Sequence, residues 1–184
     1  MRRHFVQPGA RADRPKLHFV RRLSSTLGIR TTVDVDPEGG NVMEQHHEGG
    51  CSCGAVRYRV VNAPVRTSVC HCTFCQRRTG SAFGIGVFFR DADVEFLRGE
   101  LKTYEHRSDE NQRWLCMQFC ATCGNTLSWT VEALPGMRAI AGGTFDDPNW
   151  LELNRHVWMR SAQKWVPIPH GVERFEQGAL PPPK

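Results

Sequence analysis

Eight cysteines stand at positions 51, 53, 70, 72, 75, 116, 120 and 123, with none in the first 50 residues. Seven of them form three tight groups: Cys51-x-Cys53, Cys70-x-Cys72-x-x-Cys75 and Cys120-x-x-Cys123. Cysteines one or two residues apart rarely bond to each other, and the sequence carries no apolar export signal, which argues against a disulfide framework. C-x-C and C-x-x-C units instead present two thiolates to one tetrahedral ion, each at about 2.3 Å. In a reducing compartment such clusters select zinc first and iron–sulfur second. A cytoplasmic setting is therefore expected.

Seven clustered sulfurs do not fill two four-ligand sites. The count favours, without forcing, a closed structural site of Cys51, Cys53, Cys120 and Cys123. It would staple the start of the domain to a segment about 70 residues later. Cys70, Cys72 and Cys75 would then hold a second ion with room for water or a substrate thiol, the arrangement a catalytic zinc requires. Two zinc ions per chain are expected. Cys116 is read as a small apolar strand residue, against two alternatives: a fourth ligand closing the triplet, or a free reactive thiol. His71 lies between two of the cysteines, and extended backbone would point it away from their ion.

The net charge of +5 is unevenly placed. Residues 1–33 hold eight Lys/Arg and one acid, whereas the rest of the chain holds 16 Lys/Arg against 18 Asp/Glu. The body thus offers no electrostatic case for nucleic-acid binding. Residues 1–42 show no helical stripe and are expected to be a disordered basic extension. They have the composition of an organellar leader, and Met43 is the alternative start. A hydrophobic content of 40% makes a folded domain over residues 43–178 the expectation, with an unstructured end at 179–184. The longest apolar run, Ala82 to Phe89, has eight residues, far short of the about 20 that a membrane helix needs.

Within the body, Val56, Tyr58 and Val60 alternate with Arg57 and Arg59, a half-buried strand with the arginines on its solvated face. Ala82–Phe89 reads as a strand buried on both faces. Short β-leaning runs follow at Val94–Leu97, Leu101–His106, Arg113–Phe119, Thr126–Glu132 and Met137–Ala141, separated by turn signals. This spacing predicts an all-β sandwich or partly open barrel. Asp146-Asp147 reads as a turn before Pro148, with paired carboxylates as the alternative. Trp150, Trp158 and Trp165 read as core, and His156 as a packed or capping histidine. No phosphate loop, nucleophile elbow or His-Glu-x-x-His occurs.

Three motifs together resemble the glutathione-dependent formaldehyde-activating enzyme family, which includes centromere protein V. They are Gly49-Gly-Cys51-Ser-Cys53-Gly-Ala-Val-Arg-Tyr58, Cys70-His-Cys72-Thr-Phe-Cys75 and Phe119-Cys120-Ala-Thr-Cys123-Gly124. A looser likeness runs from Gly143 to Pro148, then His156 and Trp165. The resemblance implies a β-tent of twisted antiparallel sheets and the same division of metal sites. It also implies a carbon–sulfur lyase chemistry, run in reverse, that joins glutathione to formaldehyde. Cys70, Cys72 and Cys75 would be the catalytic group, with Arg77 and Arg78 as candidates to meet glutathione carboxylates. The alternative is a zinc-stapled binding module without chemistry. Gln118 stands where the family often has Arg, and His170 where it often has an acid.

Overall fold

A computed structural model describes residues 46–179. The extension expected over 1–42, the alternative start at Met43, and the end expected at 179–184 (Ala179 excepted) lie outside the described residues. No helix among the described residues is long and apolar enough to cross a membrane.

Alternation of large apolar and polar residues, broken by glycine turns, gives strands nearly throughout. In chain order they are β1 (His46–Gly50), β2 (Arg57–Val61), β3 (Arg66–Cys70), β4 (Gly84–Arg90), β5 (Val94–Arg98) and β6 (Leu101–Arg107). β7 (Trp114–Cys120), β8 (Thr126–Val131), β9 (Met137–Ala141), β10 (Arg155–Val157) and β11 (Glu173–Phe175) follow. Among the described residues one short α-helix, α1 (Thr73–Thr79), and three single 3-10 turns interrupt them. The fold is all-β, as the run spacing predicted, and β5 to β9 fall on the expected runs to within a residue or two.

The strands form a three-stranded sheet, β1-β2-β5, and an eight-stranded sheet, β11-β10-β3-β4-β9-β8-β7-β6. Val56, Tyr58 and Val60 are fully buried and meet Val87, Phe89, Leu127 and Ile140 of the larger sheet in one core. Each such side chain stabilises the fold by about 1.5–3 kcal/mol. A second, smaller core of Met117, Trp129 and Ala139 covers the other face of the large sheet. β4 serves both faces: Val87 and Phe89 enter the main core, and Phe88 joins the second. A strand buried on both sides reads as a continuous apolar run, which is how it looked in the sequence.

Three expectations are corrected. The sheets are not wholly antiparallel, because β10 pairs in parallel with both β3 and β11. Parallel neighbours need long connections, and nearly the whole domain lies between β3 and β10. Arg57 and Arg59 are not simply solvated: Glu48, on the neighbouring strand, accepts from Arg59 at 2.7 Å, and Arg57 pairs with Asp146. Cross-strand charge pairs of this sort cover a sheet face rather than leave it bare. Trp165 is not core, being 73% exposed in a loop where a seven-residue spacing matches no regular repeat. Trp150 packs on Phe145 at 5.2 Å and stacks on His47 at 3.8 Å. Asp147 accepts from the Asn149 backbone N–H at 2.9 Å and closes a turn, so the two aspartates work separately.

Candidate metal centres and the adjoining cleft

Two groups of thiol sulfurs converge. Cys51, Cys53, Cys120 and Cys123 have their sulfurs within 4.8 Å of one another, and so have Cys70, Cys72 and Cys75. All are free cysteines. Two sulfurs on one tetrahedral ion at 2.3 Å each would stand about 3.8 Å apart. The observed separations are 3.4 Å for Cys51–Cys53, 3.8 Å for Cys53–Cys120 and 3.4 Å for Cys70–Cys72. The donor sets therefore fit metal ions, and both clusters are able to hold one.

Local backbone builds the four-sulfur cluster from two turns. Gly54, at φ 74°, ends the first pair and Gly124, at φ 74°, ends the second. This left-handed conformation suits glycine because a Cβ would be strained there. Cys51 and Cys120 are buried at the edge of the main core, whereas Cys53 and Cys123 are exposed. Burial pushes the Cys51 thiol up. The Val56 N–H and the neighbouring thiols outweigh it, bringing Cys51 down to about 6. The Asn125 N–H lowers Cys123. The Ala55 N–H pulls Cys53 down, but contacts with the neighbouring thiols push it the other way, up to about 12. Ionisation within the cluster is thus favoured at Cys51 and Cys123, and an ion would have to displace the Cys53 proton.

The three-sulfur cluster joins a strand end to a helix. Cys70 closes β3, Cys72 caps α1, and Cys75 lies in its first turn. The Cys72 sulfur accepts from the Cys75 N–H at 3.3 Å, and Gly80 ends the helix at φ 62°. Bonds from the Cys70 and Cys75 thiols and helix N–H groups bring Cys72 down to about 3 despite its burial. Cys70 is pushed up by its bonds to Cys72 and Cys75. Its bond to Cys75 pulls that thiol down, but contact with Cys72 and burial hold Cys75 up at about 11. Within the cluster, ionisation is thus favoured at Cys72 over Cys70 and Cys75.

A cleft of about 500 Å³ opens beside this group, with Cys70 and Cys72 in its wall. Its floor is the second face of β3 and β4, including Arg66, Ser68, Gly84, Gly86 and Phe88. The glycines matter here. A Cβ on Gly86 would stand 2.8 Å from the Trp129 ring, and one on Gly84 would stand 3.1 Å from the Arg78 guanidinium. Arg77 reaches the cleft wall with no partner among the described residues. Arg78 does not reach that wall; its guanidinium lies 4.6 Å over Trp129 and its charge acts on Cys75.

The remaining candidates fall elsewhere. Leu115 and Met117 belong to the cleft-side core, so Cys116 between them points to the opposite face, beside Glu105 and Thr130. It is half-buried and cannot complete the three-sulfur group. His71 is fully buried, its Nε2 3.0 Å from the Nδ1 of His156, and burial lowers the pKa of both rings. Gln118 is off the cleft wall, where its Oε1 accepts from Ser128 at 2.8 Å and from Arg138. His170 is exposed. The sequence reading did not identify α1, Trp129 or the Gly84–Gly86 floor. A signal for the floor was present, since glycines inside an apolar strand mark a close approach.

Two thiol clusters able to hold metal ions, one of them beside a cleft, define the class: an all-β domain of two sheets with two candidate metal centres. A family model described as glutathione-dependent formaldehyde-activating enzyme matches residues 46–161, and the chain belongs to that family. A Halomonas elongata protein named "Putative glutathione-dependent formaldehyde-activating enzyme" is 30% identical over 109 residues, 58% of this chain. The match spans 59% of the length of that relative. A Rhodobacter sphaeroides protein of known crystal structure superposes with a TM-score of 0.46 at 24% identity, over 60% of this chain and 99% of its own.

Proposed function

We propose that the chain is a zinc-dependent carbon–sulfur lyase-type enzyme that joins a small thiol, glutathione by family, to an aldehyde such as formaldehyde, and cleaves the adduct. Support comes chiefly from one observation: three sulfurs gather, one fewer than a tetrahedral ion takes, and two of them, Cys70 and Cys72, stand in the wall of a cleft. Cys70, Cys72 and Cys75 would hold the catalytic ion, and Cys51, Cys53, Cys120 and Cys123 a structural one. Zinc at the triplet would supply positive charge that favours the ionised form of an incoming thiol.

The chain's own residues account for the rest. Three thiolates carry more negative charge than a divalent ion cancels, which weakens Lewis acidity and favours thiol positioning as the site's role. Arg78, close to Cys75, offsets the surplus charge. Arg77, exposed on the wall, is suited to a substrate carboxylate. Holding nucleophile and carbonyl together in a cleft of this size lowers the barrier by proximity.

Exchange NMR of glutathione with labelled formaldehyde tests the reading. The zinc-loaded protein should accelerate exchange over the spontaneous rate, and Cys72→Ser should return it to that rate. Equal rates with and without protein, for formaldehyde and for larger aldehydes alike, would remove the assignment.

A further inference from the structure

The cleft is far larger, and more aromatic, than a one-carbon aldehyde needs. Phe74, Phe88, Trp114, Trp129 and Trp158 all line it. Phe74 follows Cys72 by two residues and stacks on His106 at 3.8 Å. Phe88 meets Trp129 edge-on at 6.4 Å, and the missing side chain of Gly86 lets that indole lie against the floor. Formaldehyde has no surface with which to cover these rings, and glutathione is polar and anionic. Both would leave apolar wall against water or unpaired polar groups.

Trp158 carries the argument further. Its backbone sits at φ 60°, ψ 42°, the left-handed region, where a bulky side chain is a genuine outlier. Such strain persists only where the surroundings enforce it, and it clusters at functional sites. Here the Trp158 N–H donates to Gln177 O at 3.1 Å, the Arg160 guanidinium lies 5.1 Å over the indole, and Gly178 packs against it. The result is a tryptophan held at the cleft against its backbone preference.

We infer that the carbonyl partner is an aromatic aldehyde, its ring held among Phe74, Phe88, Trp129 and Trp158 while carboxylates of the thiol partner meet Arg66 and Arg77. The inference rests on the thiol–carbonyl reading of the site. In the reaction the thiol sulfur bonds to the aldehyde carbon, the carbonyl π bond breaks, and the thiol proton ends on the oxygen. The product is the hemithioacetal RS–CH(OH)–Ar, with no change in oxidation state. The aldehyde carbon bonds directly to sulfur, so its substituent must lie next to the cysteine cluster, where Phe74 and the Gly86–Trp129 floor are found.

Two stable analogues of the adducts separate the possibilities. S-benzylglutathione mimics the aromatic adduct and S-methylglutathione the formaldehyde one, and each is titrated into zinc-loaded protein by calorimetry. The benzyl compound should bind about tenfold more tightly or better, as burial of one aromatic ring requires. Trp158→Asn should bring the ratio toward one without lowering the melting temperature, because asparagine tolerates the left-handed backbone; a purely structural tryptophan would lower it. Equal binding of the two analogues to the unaltered protein overturns the inference, whatever the variant does. Exchange NMR with benzaldehyde and with formaldehyde then separates this inference from the reading beneath it. Acceleration for formaldehyde alone overturns the aromatic substrate and leaves the lyase reading standing. Acceleration for benzaldehyde upholds the inference, whereas benzyl-selective binding with neither exchange accelerated removes the lyase reading and the aldehyde substrate with it.

Discussion

The four-sulfur and three-sulfur clusters use the same donor atom and differ in what surrounds it. The first joins two turns 67 residues apart in sequence at the rim of the main core, with Cys51 and Cys120 packed among apolar side chains. The second is local, spanning Cys70 to Cys75 at one strand end and one helical turn, and a cleft opens beside it. An ion in the first ties distant chain together and so acts on folding. An ion in the second ties together residues that the backbone already holds close, so little of its binding energy goes into the fold. On the proposed reading, the same chemistry would serve stability in one place and leave reactivity available in the other.

The sharpest way to break this contrast is to remove one sulfur from each cluster. Cys120→Ser should abolish cooperative folding, since structural zinc contributes about 10–16 kcal/mol in small domains and whole-domain stability is about 5–15 kcal/mol. A thermal melt by circular dichroism that stays cooperative and unshifted would show that the four-sulfur cluster is not a staple. Cys72→Ser should cost one metal ion per chain by elemental analysis while stability changes by no more than about 2 kcal/mol. A collapse of the fold equal to that of Cys120→Ser would erase the distinction.

Titration sharpens it further. Cys72 is already a thiolate near neutrality, whereas Cys70 and Cys75 are held protonated, so filling the triplet should release two protons. Calorimetry in buffers of different ionisation enthalpy counts them; three would mean no preformed thiolate. Protons compete for the same sulfurs, so the triplet should lose its ion as the pH falls.

Smaller effects come from the arginines. Arg77→Ala should raise KM for glutathione about tenfold with kcat little changed, the signature of lost uniform binding. A fall in kcat alone would place Arg77 in the chemistry instead. Asp146→Asn should cost no more than about 1 kcal/mol, because its pair with Arg57 is solvent-screened and the aspartate side chain is 55% exposed. The bond from Arg57 lowers the Asp146 pKa below 3.8. The pair's contribution is complete above that value and fades as the pH falls through the lowered one. Denaturant melts of the variant and the unaltered protein should therefore converge in acid.

Much of this was legible because it is local. A C-x-C or C-x-x-C unit places two sulfurs together whatever the rest of the chain does. The alternation around Val56 to Val60 declares a strand with one buried face, and the run from Ala82 to Phe89 declares one buried on both. α1 was not legible. It buries no residue, shows no apolar period, and is capped by a cysteine rather than by serine, threonine or aspartate. Its ending was written, in two arginines followed by Gly80.

The amino-acid sequence by itself determined which sulfurs could act in pairs, which segments extend, and which family the chain joins, since these depend on neighbours a few residues apart. Tertiary structure alone decided that Arg77 faces the cleft while Arg78 turns over Trp129, and that Cys116 looks away from the triplet. It also decided that five aromatic rings from distant segments line one cavity. The placement of Cys116, Phe88 and Trp129 follows from strand register, and that of Arg77 and Arg78 from how α1 lies beside Gly84 and Trp129. A shift of one residue reverses every side chain on a strand, and nothing local in the chain records which register the packed sheets will choose.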